Sequence, residues 1–541
     1  MSATCFPITV LPHVSRLYRE YLAMSESAAE APLRQWYSAE PTGDAWMHAP
    51  VTAVDRTRLA EALHAQSLAL GAGPAALANI EQLRHGARAV VTGQQVGLLG
   101  GPLLTLLKAA TAVARAREAT ASTGMAHVPV FWLATEDHDL AEVNQISLPG
   151  RSELQTLRAQ LQAATAVPVG GVALGPEIEG VLAEAEELLG YAPVCELLRA
   201  CYAPQPGYTP TLGSAFGRLM ATLFAAHGLI VLDASAREFH ALGASTLAFA
   251  IEHADQLETA LLERSQQLQR EGYHAQVLVA PGHSLLFLID PQTGERHALR
   301  RTQGGGWKAA GKPYTSAELL AILAAEPERI SPNALLRPVF QDTILPVAAY
   351  IGGPAEIAYF AQSAVVYQAV LGRCTPVLPR LSATLVEPAI AAVMARHEVS
   401  LPDVMATTSD LAQRLGARAM PIAGKRKLAA AGNALDAELT ALTEYLAAMD
   451  ESLGRSAVIA GNKMRYQMNR LRRMAATFEL QKEASLGKHA AALTLHLYPE
   501  GHPQERATAG VWFVARYGEG LVDRLVEAAE NKCPGHLAIT L

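Results

Sequence analysis

The chain has 541 residues, half of them hydrophobic and 18% charged, with 41 Gly, 31 Pro and a formal net charge of −7. That length exceeds one ordinary core and predicts a large domain with insertions or two to three packed units, while the apolar share excludes wholesale disorder. The acidic balance supplies no clustered positive field for a nucleic-acid backbone, so a small-molecule ligand is expected and nucleic acid is not.

The N-terminal segment has no basic stretch leading into an apolar run, and no later stretch approaches the roughly 18 uncharged apolar residues of a membrane span. A cytoplasmic protein with no membrane partner is expected. The five cysteines (Cys5, Cys195, Cys201, Cys374, Cys533) form no CxxC pair or zinc-like spacing and read as reduced intracellular thiols. Short apolar runs at 89–92, 128–133, 229–232 and 348–351 are each closed by a Gly, Pro or polar turn and followed by a helical pattern. Strand alternating with helix predicts an α/β fold, a doubly wound parallel sheet. Its pieces are expected at 1–150, 206–244 and 326–390. A mostly helical connecting insertion is expected at 151–205, and an α+β insertion at 245–325. In the second insertion, 276–280 and 285–290 flank Pro281, Gly282 and His283 as a hairpin, and Gly304 to Gly306 mark a turn before Trp307.

From about 390 onward helix formers dominate. Leu435, Leu439, Leu442, Leu446, Met449 and Leu453 are spaced 4-3-4-3-4, a coiled-coil seam. Met464, Met468, Leu471 and Phe478 continue an apolar face beyond Gly454 and Gly461, between which the helix is expected to turn back. The range 391–495 therefore reads as a coiled-coil arm joining a homodimer, or as a seam buried on the parent domain, and 496–541 as a segment packing back on the core. Arg465, Arg470, Arg472 and Arg473 read as a solvated helix face.

Three constellations could carry chemistry. The first is a strand entering a glycine-rich turn: Gly93, Gln94, Gln95, Gly97, Gly100, Gly101 and Pro102, followed by Thr105 and Lys108. Pro102 suits the first turn of a helix, and glycines let an anion approach the amides at a helix start. The spacing is neither GxxxxGK[ST] nor GxGxxG. The second is Glu136, Asp137, His138 and Asp139 directly after a buried strand, hence at the carboxyl end where open α/β sheets bind ligands. Carboxylates beside an imidazole suit proton transfer, with His138 the expected base and Asp137 its orienting partner or a ligand of an ammonium group. The plainer alternative is an acidic helix cap. Consecutive residues rarely all face one ion and no second His joins them, so no metal is expected. The third runs from Asn333, Arg337 and Gln341 through Tyr350, Gly352, Gly353 and Glu356 to Arg380 and Ser382. Its Gly-Gly-Pro repeats the turn at Gly100, so two helix starts would face one anionic substrate, with Arg337 and Arg380 as carboxylate clamps.

The blocks VTGQQVGLLGGPLLTLLK, PVFWLATEDHDLAEVN and SPNALLRPVFQDTILPVAAYIGGPAEIAYF, with PVLPRLSATLVEP and LYPEGHPQERATAG, resemble the cysteine ligase family of bacillithiol biosynthesis (the BshC family) over nearly the whole chain. The resemblance implies a Rossmann-like core related to class I nucleotidyl transferases, two connecting insertions, a C-terminal α-helical coiled-coil hairpin, and a dimer. It also implies addition of L-cysteine to the glucosamine amine of glucosaminyl-malate, with ATP or ADP as possible nucleotides. Gly97–Pro102 occupies the turn where class I synthetases carry HxGH, and no KMSKS-like loop is present, so adenylate chemistry is not implied. Gly100 and Leu104 stand where the family pattern has Thr and Tyr. Two rival readings fit the same residues: a nucleotidyl-transferase-like carboxylate–amine ligase for another small anion, and a nucleotide-binding coiled-coil scaffold.

Overall fold

The computed structural model describes residues 2–25, 32–161, 166–190 and 192–541, so Met1 and parts of the first insertion lie outside the described residues. Five parallel strands form the central sheet: β1 (Arg88–Gln95), β2 (His127–Ala134), β3 (Ile230–Asp233), β4 (Val347–Gly352) and β5 (Val377–Pro379), in the spatial order β5-β4-β1-β2-β3. The first four are the expected apolar runs. Each is buried over nearly its whole length, as strands covered on both faces are. β5 escaped the sequence reading because only three residues pair. From β1 the chain moves through β2 and β3 to one side and through β4 and β5 to the other. The carboxyl ends of β1 and β4 therefore flank the crevice where such sheets bind ligands.

Helix α1 (Leu104–Thr123) is buried without interruption from Leu104 to Ala116, because the sheet lies on one side and C-terminal helices on the other. Gly124 ends it at φ 69°, the left-handed cap that glycine accepts without a Cβ penalty. Pro102 stands just before this helix, not in its first turn, and forms a bridge with Ala509. The Leu103 N–H donates to the Thr508 carbonyl at 2.8 Å.

A five-stranded antiparallel sheet has four strands in the range expected for the second insertion and its fifth, Ile330–Pro332, beyond it, and the hairpin differs from the expected one. His283–Ile289 pairs with Arg296–Arg301, so the turn falls after Asp290 and not at Gly282. Residues 276–280 form no strand; Val277 is instead held at both backbone groups by the Gln362 side chain, 2.9 Å each, and Leu278 is 80% exposed. The turn at Gly304–Gly306 does separate two strands. An antiparallel pair, Gln145–Pro149 with Leu154–Arg158, straddles the expected start of the first insertion at 151, ahead of the helices.

Two long helices, α5 (Ile422–Met449) and α6 (Glu451–Lys482), run antiparallel. The reversal is at Asp450, whose carboxylate accepts the Leu453 N–H at 3.0 Å, and not between Gly454 and Gly461. Gly454 serves packing, since a Cβ there would lie 2.7 Å from the Ala447 Cβ, and Gly461 stays within an unbroken helix. Strand structure also returns at the end of the chain. His536–Thr540 inserts between Ser2–Phe6, antiparallel, and Ala383–Val386, parallel. Beside it Cys5 and Cys533 are joined in a disulfide, against the reading of all five cysteines as free thiols; their separation of 528 residues left no local spacing to announce it. Among the described residues Cys195, Cys201 and Cys374 form no disulfide. Among the described residues no helix is long and apolar enough to cross a membrane.

Candidate active site

The crevice at the carboxyl ends of β1 and β4 is a cleft of about 370 Å³. β1 contributes Gly93, Gln94 and Gln95; β2 leads to Trp132, Ala134 and Asp137; β4 and the start of α4 (Pro354–Leu371) bring Tyr350, Gly353 and Glu356. Arg337 enters from α3 (Arg337–Ile344) and Lys108 from α1. A second chamber of about 440 Å³ continues past Gln94, Gln95 and Leu104, lined among others by Gly97, Gly101, Ser147, Thr156 and His502. Gly93 is required at the junction, because a Cβ there would lie 2.9 Å from the Trp132 carbonyl oxygen.

The floor is a buried charge network. Lys108 Nζ lies 2.5 Å from Glu356 Oε2 and donates to the Gly93 carbonyl at 2.7 Å and to Gln94 Oε1 at 3.1 Å. Burial depresses the lysine pKa despite its partner; burial alone would raise the Glu356 pKa, but the Lys108 ammonium holds it below the ordinary value. Glu356 also accepts the Gly353 N–H at 2.7 Å and the Tyr350 hydroxyl at 2.5 Å. Arg337 donates to the Tyr359 hydroxyl at 2.8 Å. Above this floor Asp137 Oδ2 accepts from Gln95 Nε2 at 2.8 Å, and the same amide reaches Glu142 Oε2 at 2.9 Å.

Several expected ligand contacts are occupied within the protein. Arg380 forms a two-point pair with Glu505, 2.9 and 2.5 Å, which takes the terminal nitrogens a carboxylate clamp would need. Ser382 donates into the same carboxylate. Asn333 Oδ1 accepts the Leu335 and Leu336 amides in the turn ahead of α3, and Gln341 is wholly buried beside Asp342. At the first Gly-Gly-Pro the Gly100 N–H donates to the Tyr202 hydroxyl at 3.1 Å and Thr105 is buried under Gly101, so neither group faces a ligand, whereas Gly101 itself borders the second chamber. Gly352 packs on Val377.

The four residues after β2 diverge. Glu136 turns inward to His240, with His240 Nε2 2.9 Å from Glu136 Oε1; Asp137 faces the cleft. His138 sits at the rim, its side chain 43% exposed and its ring centroid 6.0 Å from that of Phe287. Asp139 accepts the Glu142 N–H and caps the short helix Leu140–Val143, as the plainer alternative has it. Among the described residues no group of three or more His, Cys, Asp or Glu is placed to hold a metal. Sequence reasoning missed Tyr359, His240 and Arg506. Arg506 borders both chambers, and among the described residues its guanidinium has no hydrogen-bond partner.

Residues 1–381 match the family model described as the N-terminal Rossmann-like domain of bacillithiol biosynthesis BshC, and residues 383–541 match its C-terminal coiled-coil domain. The chain belongs to the BshC family. It is 42% identical over 547 residues to a protein of Koribacter versatilis, with all of both chains covered, and 34% identical to one of Solibacter usitatus, with 99% of each covered. A third relative, of Symbiobacterium thermophilum, is 34% identical over 87% of each chain. All three carry the name "Putative cysteine ligase BshC". The chain is thus an enzyme of a bacillithiol-biosynthesis ligase family, as its sequence motifs imply, and the scaffold reading is not favoured.

Proposed function

We propose that the protein joins L-cysteine to the glucosamine amine of glucosaminyl-malate, completing bacillithiol, at the cleft between β1 and β4. The observation carrying this reading is Asp137, the acidic-loop residue that faces the cleft and lines it together with Arg337 and Arg506. A carboxylate there holds the amine and takes its proton as the new C–N bond displaces the leaving group of a cysteine carboxyl activated beforehand; the two arginines meet the malate carboxylates. An amine is protonated near neutral pH, so amide formation needs such a base or field. His138, at the rim, relays the proton outward. The core descends in this reading from class I nucleotidyl transferases, and the protein works in the cytoplasm; ATP and ADP are the nucleotides to test. Expression of the wild-type chain in a strain lacking its own cysteine ligase should restore bacillithiol. Accumulation of unreacted glucosaminyl-malate in that strain would sink the proposal.

Malate or citrate should raise the melting temperature in proportion to the logarithm of concentration once sites fill. Arg506→Gln should flatten that response while leaving the ligand-free melting point in place. An undiminished response would locate the anion elsewhere.

The arm joins two copies in this proposal. Leu442, Tyr445, Met449, Ile459, Met464, Leu471 and Phe478 stand 46–65% exposed along α5 and α6, an apolar surface that a partner would cover. Shortening the arm by removing 436–465, at the level of the Asp436–Arg465 ion pair, should give a monomer by light scattering. A dimer from that variant would refute the arm as the interface.

A further inference from the structure

His240 has no part in the chemistry above, yet its side chain is fully buried and faces the acidic loop. It lies on α2 (Arg237–Leu242), and its Nε2 is 2.9 Å from Glu136 Oε1. A buried ion pair or charge-assisted bond of this kind is costly to break, because removing one partner strands the other without solvent. The backbone of the loop is clamped as well. The Val169 N–H donates to the Asp137 carbonyl at 2.7 Å and the Gly170 N–H to the Thr135 carbonyl at 2.9 Å, while the Thr135 hydroxyl donates to Asp233 at 2.5 Å. These contacts fix the carbonyls of Thr135 and Asp137, and Asp137 Oδ1 accepts the His138 N–H at 2.7 Å, so the peptide unit between Glu136 and Asp137 is set by what the two side chains hold. Glu136 turns away from the cleft and Asp137 into it, so holding one aims the other.

The packing behind His240 points the same way. Its ring lies 5.3 Å from Phe340, which meets Trp132 of the cleft wall edge-on at 6.3 Å. Gly243, just beyond α2, allows this approach, since a Cβ there would come 2.2 Å from the Phe340 ring. We infer that His240 is a positioning residue that sets Asp137 in the cleft by holding Glu136 from behind. The inference rests on the reading of Asp137 as the amine-binding group.

The test uses the full chain with His240→Phe, which fills the space without a donor, and His240→Gln, whose amide nitrogen replaces Nε2. In crystals of the Phe variant, Asp137 should leave hydrogen-bond reach of Gln95; in the Gln variant, the contact should persist. In the ligation assay the Phe variant should lose about 10- to 100-fold in kcat, as a group displaced by an ångström does, with KM for cysteine little changed. The Gln variant should be largely restored. An undisturbed Asp137–Gln95 contact in the Phe variant, or equal losses in both, overturns the inference. Should the Phe variant not fold, Glu136→Ala provides the same crystallographic comparison, with the same two outcomes. If the wild type makes no product, the proposed function fails, and the crystal structures still decide the role of His240.

Discussion

Glu505→Gln should cost the fold about 3–5 kcal/mol, as loss of one partner from a buried ion pair does. Glu505 lies on the short helix Gln504–Ala507 of the coiled-coil domain, and its partner Arg380 closes the Rossmann-like domain; both side chains are 2% exposed. The carboxylate accepts from two Arg380 nitrogens, the Ser382 hydroxyl and the Ala383 N–H at 2.9 Å. Nothing nearby replaces it when neutral. Burial alone would raise its pKa, but Arg380 outweighs this and holds it at about 2 against an ordinary 4.5. At about 1.4 kcal/mol per tenfold, that gap is worth about 3 kcal/mol, present above pH 4.5 and lost as pH falls toward 2.

His536 adds an earlier stage to the same acid response. Its ring nitrogens lie 2.8 Å from the Ser382 and Thr384 hydroxyls, and burial pushes its pKa down to about 4 from 6.5. The unfolded chain then binds a proton that the folded one refuses, so stability falls as pH drops from 6.5 to 4. Urea midpoints at pH 7, 5 and 4 should decline in wild type and stay flatter between 7 and 5 in His536→Gln. A Glu505→Gln midpoint at pH 7 matching wild type would show that the seam between the domains is held elsewhere.

Asp137→Asn should lower the ligation rate by about 10²–10⁴-fold, the usual contribution of a positioned base, with unchanged melting. Asn keeps one oxygen for Gln95 but cannot take a proton from the amine or balance its charge. His138→Asn, at the rim, should do less. Both variants are to be read by bacillithiol in a complemented deletion strain and by steady-state rates. Wild-type rates from Asp137→Asn would return the loop to a purely structural role.

The four longer strands were legible because runs such as 128–133 are continuously apolar, the mark of burial on both faces. So was the crevice, because chain order alone places the ends of β1, β2 and β4 at one edge of the sheet. The division of labour within each motif was not. Arg380 reads as a free clamp until Glu505, 125 residues later, is seen to take both its terminal nitrogens. Asn333 reads as a ligand donor until the Leu335 and Leu336 amides of the turn ahead of α3 claim its oxygen. Arg506 lies inside a motif whose spacing gives no hint of a cleft. The reversal at Asp450 was misplaced because glycine propensity suggested a break where close helix packing was the reason for Gly454. For Arg380 the deciding partner is distant in sequence and local pattern carries no trace of it; for Asn333 and Asp450 the partner is only two or three residues away, but the sequence does not say which of several local roles wins.

The placement of 536–540 as the middle strand, between 2–6 and 383–386, sets an order on biosynthesis. These residues leave the ribosome after both of their neighbours. Domains generally form as they emerge, N-terminal first. The Rossmann-like sheet can therefore close during translation, whereas Ser2–Phe6 waits as an unpaired edge for most of the synthesis time, and Ser382 and Thr384 wait for His536. The nascent chain must shelter that edge until 536–540 emerges, so a ribosome that stalls before residue 536 leaves the two domains unlatched.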